Sequence, residues 1–260
     1  MRARPEAELP FYFGANDELF GLFHAALAPS RKAVLLCAPL GQDQIRCHRL
    51  YRQLAAALAA EGIPVLRFDY YGSGDSAGTS ADVDWERCVA DTVTAAEELR
   101  ARSGTDRIVA FGARIGGSAA LAASRAARFS DVVAWDPVLD GDDYVARLDA
   151  MQAALRVDKQ RFSKPRLEAD IASQWLGFAV SDRLRRQLVE LRLDASDIPT
   201  LVLDSLRESP NEGWHSLVAD NTTVRTLRPP TPWHDMHRLE LAILSHPLIQ
   251  AVTGHVREVA

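Results

Sequence analysis

Apolar residues along this chain fall into short, dense runs separated by longer stretches in which they recur every three to four positions. That is the pattern of buried strands alternating with amphipathic helices. Near the start, "FYFG" and "LFGLFHAAL" predict an antiparallel pair, and "KAVLLCAP" (32–39) predicts the first buried strand. A helix is expected over 46–61, ended by Gly62, then a strand in "VLRFDYYG" (65–72) and a helix over 84–103 capped by Asp82 or Asp84. The strands "DRIVAFG" (106–112) and "DVVAWDP" (131–137) flank a helix expected over 115–129. "IPTLVLDS" (198–205) and "TTVRTLRP" (222–229) restore the strand pattern, and "HPLIQAVTGHVREV" closes the chain as a helix.

This alternation predicts an α/β fold, a mostly parallel central sheet with helices on both faces. Between residues 140 and 195 the pattern changes to helix after helix with no strand candidate: "YVARLDAMQAAL", "RLEADIASQWLG" and "SDRLRRQLVELRL". Such a stretch is too long for an ordinary crossover. It is read as a helical cap (140–195) inserted over the ligand edge of a core made by 1–139 and 196–260.

Composition narrows the function. The chain of 260 residues is 47% hydrophobic without a run near the length of a membrane span, and "MRARPEAELP" lacks the apolar core of a signal peptide. A soluble cytoplasmic protein without a membrane partner is expected. A net charge of −5 and the lack of a Lys/Arg block argue against nucleic acid, whose phosphates demand a basic face. Cys37, Cys47 and Cys88 are too few and too dispersed for a zinc cage or disulfide framework, and reduced thiols are expected. No metal signature such as H-E-x-x-H occurs, and no cofactor is implied. The expected partner is a small-molecule or peptide substrate, with a homodimer left open.

The stretch with most chemical content is "FGARIGG". Gly112, Ala113, Arg114, Ile115 and Gly116 lie between a strand and a helix, in the form of a G-x-S-x-G elbow whose central serine is replaced by arginine. In chain order it is preceded by "CAPLGQDQ" and "RFDYYGSGDSAGT" and followed by the helical insertion and the late His-bearing loop "PTPWHDMHRLE". With these motifs the chain resembles the α/β-hydrolase superfamily over nearly its whole length. Within it the likeness is to the serine-aminopeptidase-like group that includes the exosortase A system-associated hydrolases. Those proteins also show a "PP-F-x-E-E" type loop followed by Arg, a "W-x-P-V-x-x-G" segment like Trp135 to Gly141, and in some members an Arg at the elbow.

The resemblance supplies site expectations. The acid is Asp136, ending "VVAWD", or Glu208, four residues beyond "LVLD". The base is His234 or His237, with His234 preferred because Pro232 and Trp233 fix its backbone. Backbone N–H groups of Leu40 and Ile115 are the oxyanion-hole equivalent. Asp75 and Ser76 are read as turn stabilisers, Tyr70 and Tyr71 as pocket residues, and Trp175, Phe178, Phe162 and Met151 as packing that partly closes over the pocket. "GSG" is no nucleotide loop, since it lacks the P-loop Lys-Ser/Thr and the helix start of a dinucleotide fingerprint. The remaining histidines are read as surface or structural.

Arg114 decides the chemistry. A guanidinium stays protonated, has only donors and cannot attack a carbonyl, so the ordinary serine mechanism is not available to it. Ser118 is read as a packing residue and Cys37 as core. At a helix N-terminus Arg114 either binds an anion or is satisfied internally by Asp136, Glu208 or Asp204. Three functions follow. One is a non-hydrolytic enzyme (isomerase, epimerase, lyase or cyclisation type) acting on a carboxylated, acylated or peptidic metabolite. The others are a catalytically dead binding or accessory protein, and an acyl or thioester hydrolase with an unconventional nucleophile.

Overall fold

The computed structural model describes residues 8–26, 30–158, 173–193, 197–206, 217 and 220–259. An eight-stranded sheet runs through it in the order β1-β2-β4-β3-β5-β6-β9-β10. Its strands are β1 (Leu9–Phe13), β2 (Leu19–His24), β3 (Ala33–Cys37), β4 (Val65–Phe68), β5 (Ile108–Ala113), β6 (Asp131–Trp135), β9 (Thr200–Asp204) and β10 (Thr222–Thr226). β1–β2 and β2–β4 pair antiparallel; from β4 to β10 every pairing is parallel. The central strands are buried throughout, as expected where helices cover both faces.

Alternation along each strand divides the core. Ala33, Leu35 and Cys37 face one layer with α2 (Trp85–Ser103) and α3 (Ile115–Ala123), while Val34 and Leu36 face the other with α1 (Gly41–Ala60) and α6 (His246–Glu258). The chain leaves β3 through α1 towards β4 and leaves β5 through α3 towards β6, on opposite sides of the β3–β5 pair. The carboxyl ends of β3 and β5 therefore form the switch point at which such sheets open a crevice. Tyr51 of α1 ties these two ends together: its hydroxyl donates to the Cys37 carbonyl (2.9 Å) and accepts from the Ala113 N–H (2.9 Å).

Three elements differ from the sequence reading. α1 starts at Gly41, five residues before the expected 46, on an extended Leu40, so part of "CAPLGQDQ" is helix rather than loop. α3 ends at Ala123 and not at 129: the Ser124 N–H turns back to the Leu121 carbonyl (3.2 Å), and the turns that follow are closed by Arg128 at a left-handed φ of 51° and by the Phe129 N–H to the Ser124 carbonyl (3.0 Å), a Schellman arrangement. Between β6 and β9 stand α4 (Gly141–Val157), a two-residue hairpin β7–β8 (Gln174–Trp175, Phe178–Ala179) and α5 (Asp182–Val189). The hairpin corrects the strand-free expectation for this insertion; Leu176 (φ 52°) and Gly177 (φ 97°) supply the turn that reverses it. Among the described residues no helix is long and apolar enough to cross a membrane.

Candidate active site

The site begins at the turn after β5. Arg114 is held at φ 51°, ψ −128°, a conformation that costs a residue with a Cβ on the order of 1–3 kcal/mol. Its N–H donates to the Trp135 carbonyl (2.9 Å), and the chain enters α3 at the next residue. Small residues permit the turn. A Cβ on Gly112 would lie 2.3 Å from the Gly116 carbonyl oxygen, and one on Gly116 would lie 2.3 Å from that of Cys37. The second contact also presses the first turn of α3 against the end of β3. Leu40 caps α1 and Ile115 opens α3, so both amides belong to the orphan donors of helix N-termini. Both residues border one cavity of about 290 Å³.

The lining divides by chemistry. Val83, Leu148, Met151, Trp175, Phe178 and Leu184 form an apolar wall and roof, largely from the segment between β6 and β9. Arg114, Asp43, Arg147 and His234 bring charge and proton-carrying groups to the floor and rim. Trp175 is fastened as a roof residue by its indole N–H to Asp149 (2.9 Å), and Ala179 by its N–H to the Ser80 hydroxyl (3.0 Å).

Arg114 is only 5% exposed. Its Nη1 donates to the Asp136 carbonyl (3.2 Å), Nη2 meets His234 Nε2 at 3.4 Å, and Nε lies 3.9 Å from Asp43 Oδ2 without a hydrogen bond of its own. The rings of Tyr144 and Trp233 flank it, each centroid 5.5 Å from the guanidinium carbon, within cation–π range. Its partners are thus Asp43, His234 and a backbone carbonyl. The Asp204 carboxylate instead accepts from the Leu206 N–H (3.0 Å), and Glu208 lies outside the described residues.

His234 reaches the cavity because its loop is nailed down on both sides. Arg46, fully buried on α1, donates to the carbonyls of Pro232 (2.5 Å) and Trp233 (2.8 Å). Trp233 packs on Trp135 (4.7 Å between centroids), and its indole N–H donates to Asp136 (2.7 Å). Burial, and then the guanidinium charges of Arg114, Arg147 and Arg46, bring the His234 imidazole down to about 4. It is neutral at pH 7. Since Arg114 has only donors, the Nε2 that faces it carries the lone pair. His237 is exposed on the following short turn, its N–H donating to Asp235 (3.0 Å), and is not among the cavity-lining residues.

Asp136 is buried completely at a left-handed φ of 44°. Its carboxylate accepts from the Ser205 N–H (2.7 Å), the Ser205 hydroxyl and the Trp233 indole. These bonds tie the ends of β6 and β9 to the histidine loop. Among the described residues no hydrogen bond joins this carboxylate to His234; burial pushes the carboxyl up, against the pull of Ser205, Trp233 and Arg114.

Phe162 lies outside the described residues. Tyr70 does not border the cavity: two residues beyond Phe68 it points to the same face, into the α2/α3 core, edge-on to Phe68 at 4.9 Å. Tyr71 does not border it either, because its ring lies under Arg87 (3.6 Å) and its N–H donates to Asp91 (3.0 Å). Ser76 ties its turn, donating to the Asp69 carbonyl (2.6 Å), while Asp75 contributes its N–H to the Asp69 carboxylate (3.0 Å). Ser118 is buried and bonded in both directions to Val138, donating to its carbonyl (2.7 Å) and accepting its N–H (2.9 Å). Cys37 is core, and burial pushes its thiol up to about 12, far from a thiolate. Asp43, Arg46, Tyr144 and Arg147 were missed. For the first two a signal existed: "PLGQDQIR" puts an acid and an arginine three apart, which in a helix shares a face.

Among the described residues no group of three or more His, Cys, Asp or Glu is placed to hold a metal ion. A model of the serine aminopeptidase S33 family matches residues 29–190. No curated protein matches the sequence. Solved structures match end to end: Est1E from Butyrivibrio proteoclasticus has a TM-score of 0.66 at 16% identity, covering 96% of this chain and 98% of that one. A highly thermostable carboxyl esterase from Bacillus coagulans, in complex with glycerol, has 0.65 at 13%, with coverages of 97% and 98%. The bottromycin epimerase BotH, in complex with bottromycin A2, has 0.54 at 15%, with coverages of 96% and 99%. At these identities the likeness is one of fold, and the fold is that of the α/β-hydrolases.

Proposed function

We propose, from the premise that this chain belongs to the serine aminopeptidase S33 family of α/β-hydrolase proteins, that it is a non-hydrolytic enzyme which moves a proton on a carboxylated, acylated or peptidic metabolite. In this reading Arg114 stands where hydrolytic relatives place a nucleophilic serine. Its fixed charge polarises the substrate carbonyl, and the amides of Leu40 and Ile115 hold the oxygen on which charge develops. The reaction is of the isomerase, epimerase, lyase or cyclisation type. The apolar roof selects a substrate with hydrophobic substituents.

The observation that carries this reading is the pairing of Arg114 with a neutral His234 at 3.4 Å on the wall of a cavity of about 290 Å³. A hydroxyl nucleophile and its acid-oriented base are replaced there by a cation and a base that lacks an acid. That an epimerase shares the fold makes the chemistry compatible with the scaffold and carries nothing further.

One observation favours a second reading, a ligand-binding protein without turnover: the buried carboxylate of Asp136 is spent on Ser205 and Trp233. The two readings part in a screen of acylated amino acids, short peptides and thioesters followed by mass spectrometry. The enzyme reading expects isomerised or cyclised product without water uptake, lost in Arg114→Ala combined with His234→Ala. Ligand-induced thermal stabilisation with no product supports the binding reading, and normal turnover in the double variant refutes the site.

A further inference from the structure

His234, the base that the family resemblance leads one to expect, is poorly disposed to take a proton from a substrate. His234 Nε2 directs its lone pair at Arg114, so this nitrogen already accepts from a permanent donor. Asp43 presents the opposite situation. It stands in the first turn of α1, borders the cavity, and its side chain is 15% exposed. Its carboxylate lies 3.6 Å from Arg46 Nη1 and 3.9 Å from Arg114 Nε. Both separations exceed hydrogen-bond length. Among the described residues no donor is hydrogen-bonded to it: each oxygen has one guanidinium at ion-pair distance and keeps the capacity to accept a proton. Around it stand Arg46 and Cys47 from its own helix, Arg114 from the elbow and Tyr144 from α4.

We propose that the Asp43 carboxylate is the proton-accepting group of the cavity, with His234 acting as a positioning residue that holds Arg114. This rests on the proton-transfer reading above and names the base within it. A bond from carbon to hydrogen next to the substrate carbonyl breaks, its proton goes to an Asp43 oxygen, and the electron pair moves onto the carbonyl oxygen beside Leu40 and Ile115. Return of a proton to carbon as the carbonyl reforms completes the isomerisation, with no oxidant, reductant or water consumed. The two arginines keep the carboxylate charged between turnovers. Burial pushes its carboxyl up, against the pull of Arg114 and Arg46.

Two measurements test this. In deuterated water, N-acyl amino acid amides and dipeptides with apolar side chains are assayed for deuterium uptake with wild type, Asp43→Asn, Asp43→Glu and His234→Gln. The first variant should lower exchange by about 10²–10⁴-fold and remove the acid limb of the pH profile. Asp43→Glu should restore part of the exchange, and His234→Gln, whose amide oxygen can still accept from Arg114, should lower exchange far less than Asp43→Asn does and leave the acid limb of the pH profile in place. Exchange retained in Asp43→Asn but lost in His234→Gln overturns the proposal.

The second measurement needs no turnover. Ethyl diazoacetate esterifies a protonated carboxyl: the acid proton moves to the diazo carbon, the carboxylate oxygen bonds to that carbon, and nitrogen gas leaves. Peptide mapping should place the ester on Asp43 in wild type as pH is lowered and the carboxylate takes up its proton, and nowhere in the cavity in Asp43→Asn; an Asp43 that stays unlabelled across the whole pH series overturns the proposal. Labelling of Asp43 without exchange on any substrate rejects the enzyme reading alone and supports the carboxyl as the cavity's proton acceptor.

Discussion

Replacing Asp136 separates a structural latch from a catalytic acid. In wild type its carboxylate receives the Ser205 N–H, the Ser205 hydroxyl and the Trp233 indole, all buried. Alanine leaves these donors without a partner, each at about 1–3 kcal/mol. It also places a Cβ without a polar side chain at φ 44°, adding about 1 kcal/mol. Relief of the buried carboxyl's own desolvation subtracts from that sum, and breaking a buried charged network in this way costs about 3–5 kcal/mol. Asparagine tolerates the left-handed backbone and keeps one acceptor oxygen, so Asp136→Asn should lose about half as much. Urea unfolding followed by tryptophan fluorescence measures both, and the alanine variant should melt roughly 10 °C below wild type. Hydrogen exchange over 230–238 should rise together with the loss, because Trp233 is what the latch holds. An Asp136→Ala protein within 1 kcal/mol of wild type, or one with full stability and a lost pH-dependent activity, would refute the latch.

Further outcomes follow from the same geometry. Arg114→Ser should not create an esterase: the turn is already built, yet no acid orients His234, so hydrolysis of p-nitrophenyl esters and fluorophosphonate labelling should stay at background. Arg46→Lys, whose ammonium ends one bond short of the two guanidinium nitrogens that reach the Pro232 and Trp233 carbonyls, should cost about 2–4 kcal/mol in denaturant unfolding and free the histidine loop. His24 and His234 are both held down to about 4, by burial first and neighbouring arginines second. The unfolded chain then binds more protons, so their contribution is complete above pH 6.5 and drains away as pH falls towards 4, by at most about 3 kcal/mol for the fully buried His24. A His24→Gln variant should flatten that part of the stability–pH curve measured by urea titration. Ser118→Ala, which strands both polar groups of Val138, should cost about 1–3 kcal/mol without changing reactivity towards serine-directed probes.

Strand placement was legible because buried parallel strands read as dense apolar runs, and β3, β5 and β6 stand where "KAVLLCAP", "DRIVAFG" and "DVVAWDP" put them. The elbow was legible for a steric reason, since glycines at 112 and 116 are demanded by carbonyl oxygens 2.3 Å from any Cβ. What sequence could not supply was direction. Tyr70 and Tyr71 follow β4 directly and read as pocket residues, whereas Phe68–Tyr70 alternation turns one into the core and Arg87 covers the other. Asp43 was hidden by a helix start drawn five residues late, which left its carboxylate in an unoriented loop. Asp136 was noticed for its charge, but its partners come from β9 and the loop after β10, a convergence of distant segments that no local pattern encodes. The hairpin in the inserted segment escaped because two residues per strand are too few for a period to register.

The central claim is that this cavity moves protons and does not add water. It is tested most directly by incubating the protein with the acylated amino acid and peptide panel in deuterated, oxygen-18-enriched water and reading product masses. Deuterium at carbon with no oxygen-18 in any acyl product is the predicted result. Oxygen-18 in a released acid, abolished by Arg114→Ala or His234→Ala, would contradict it.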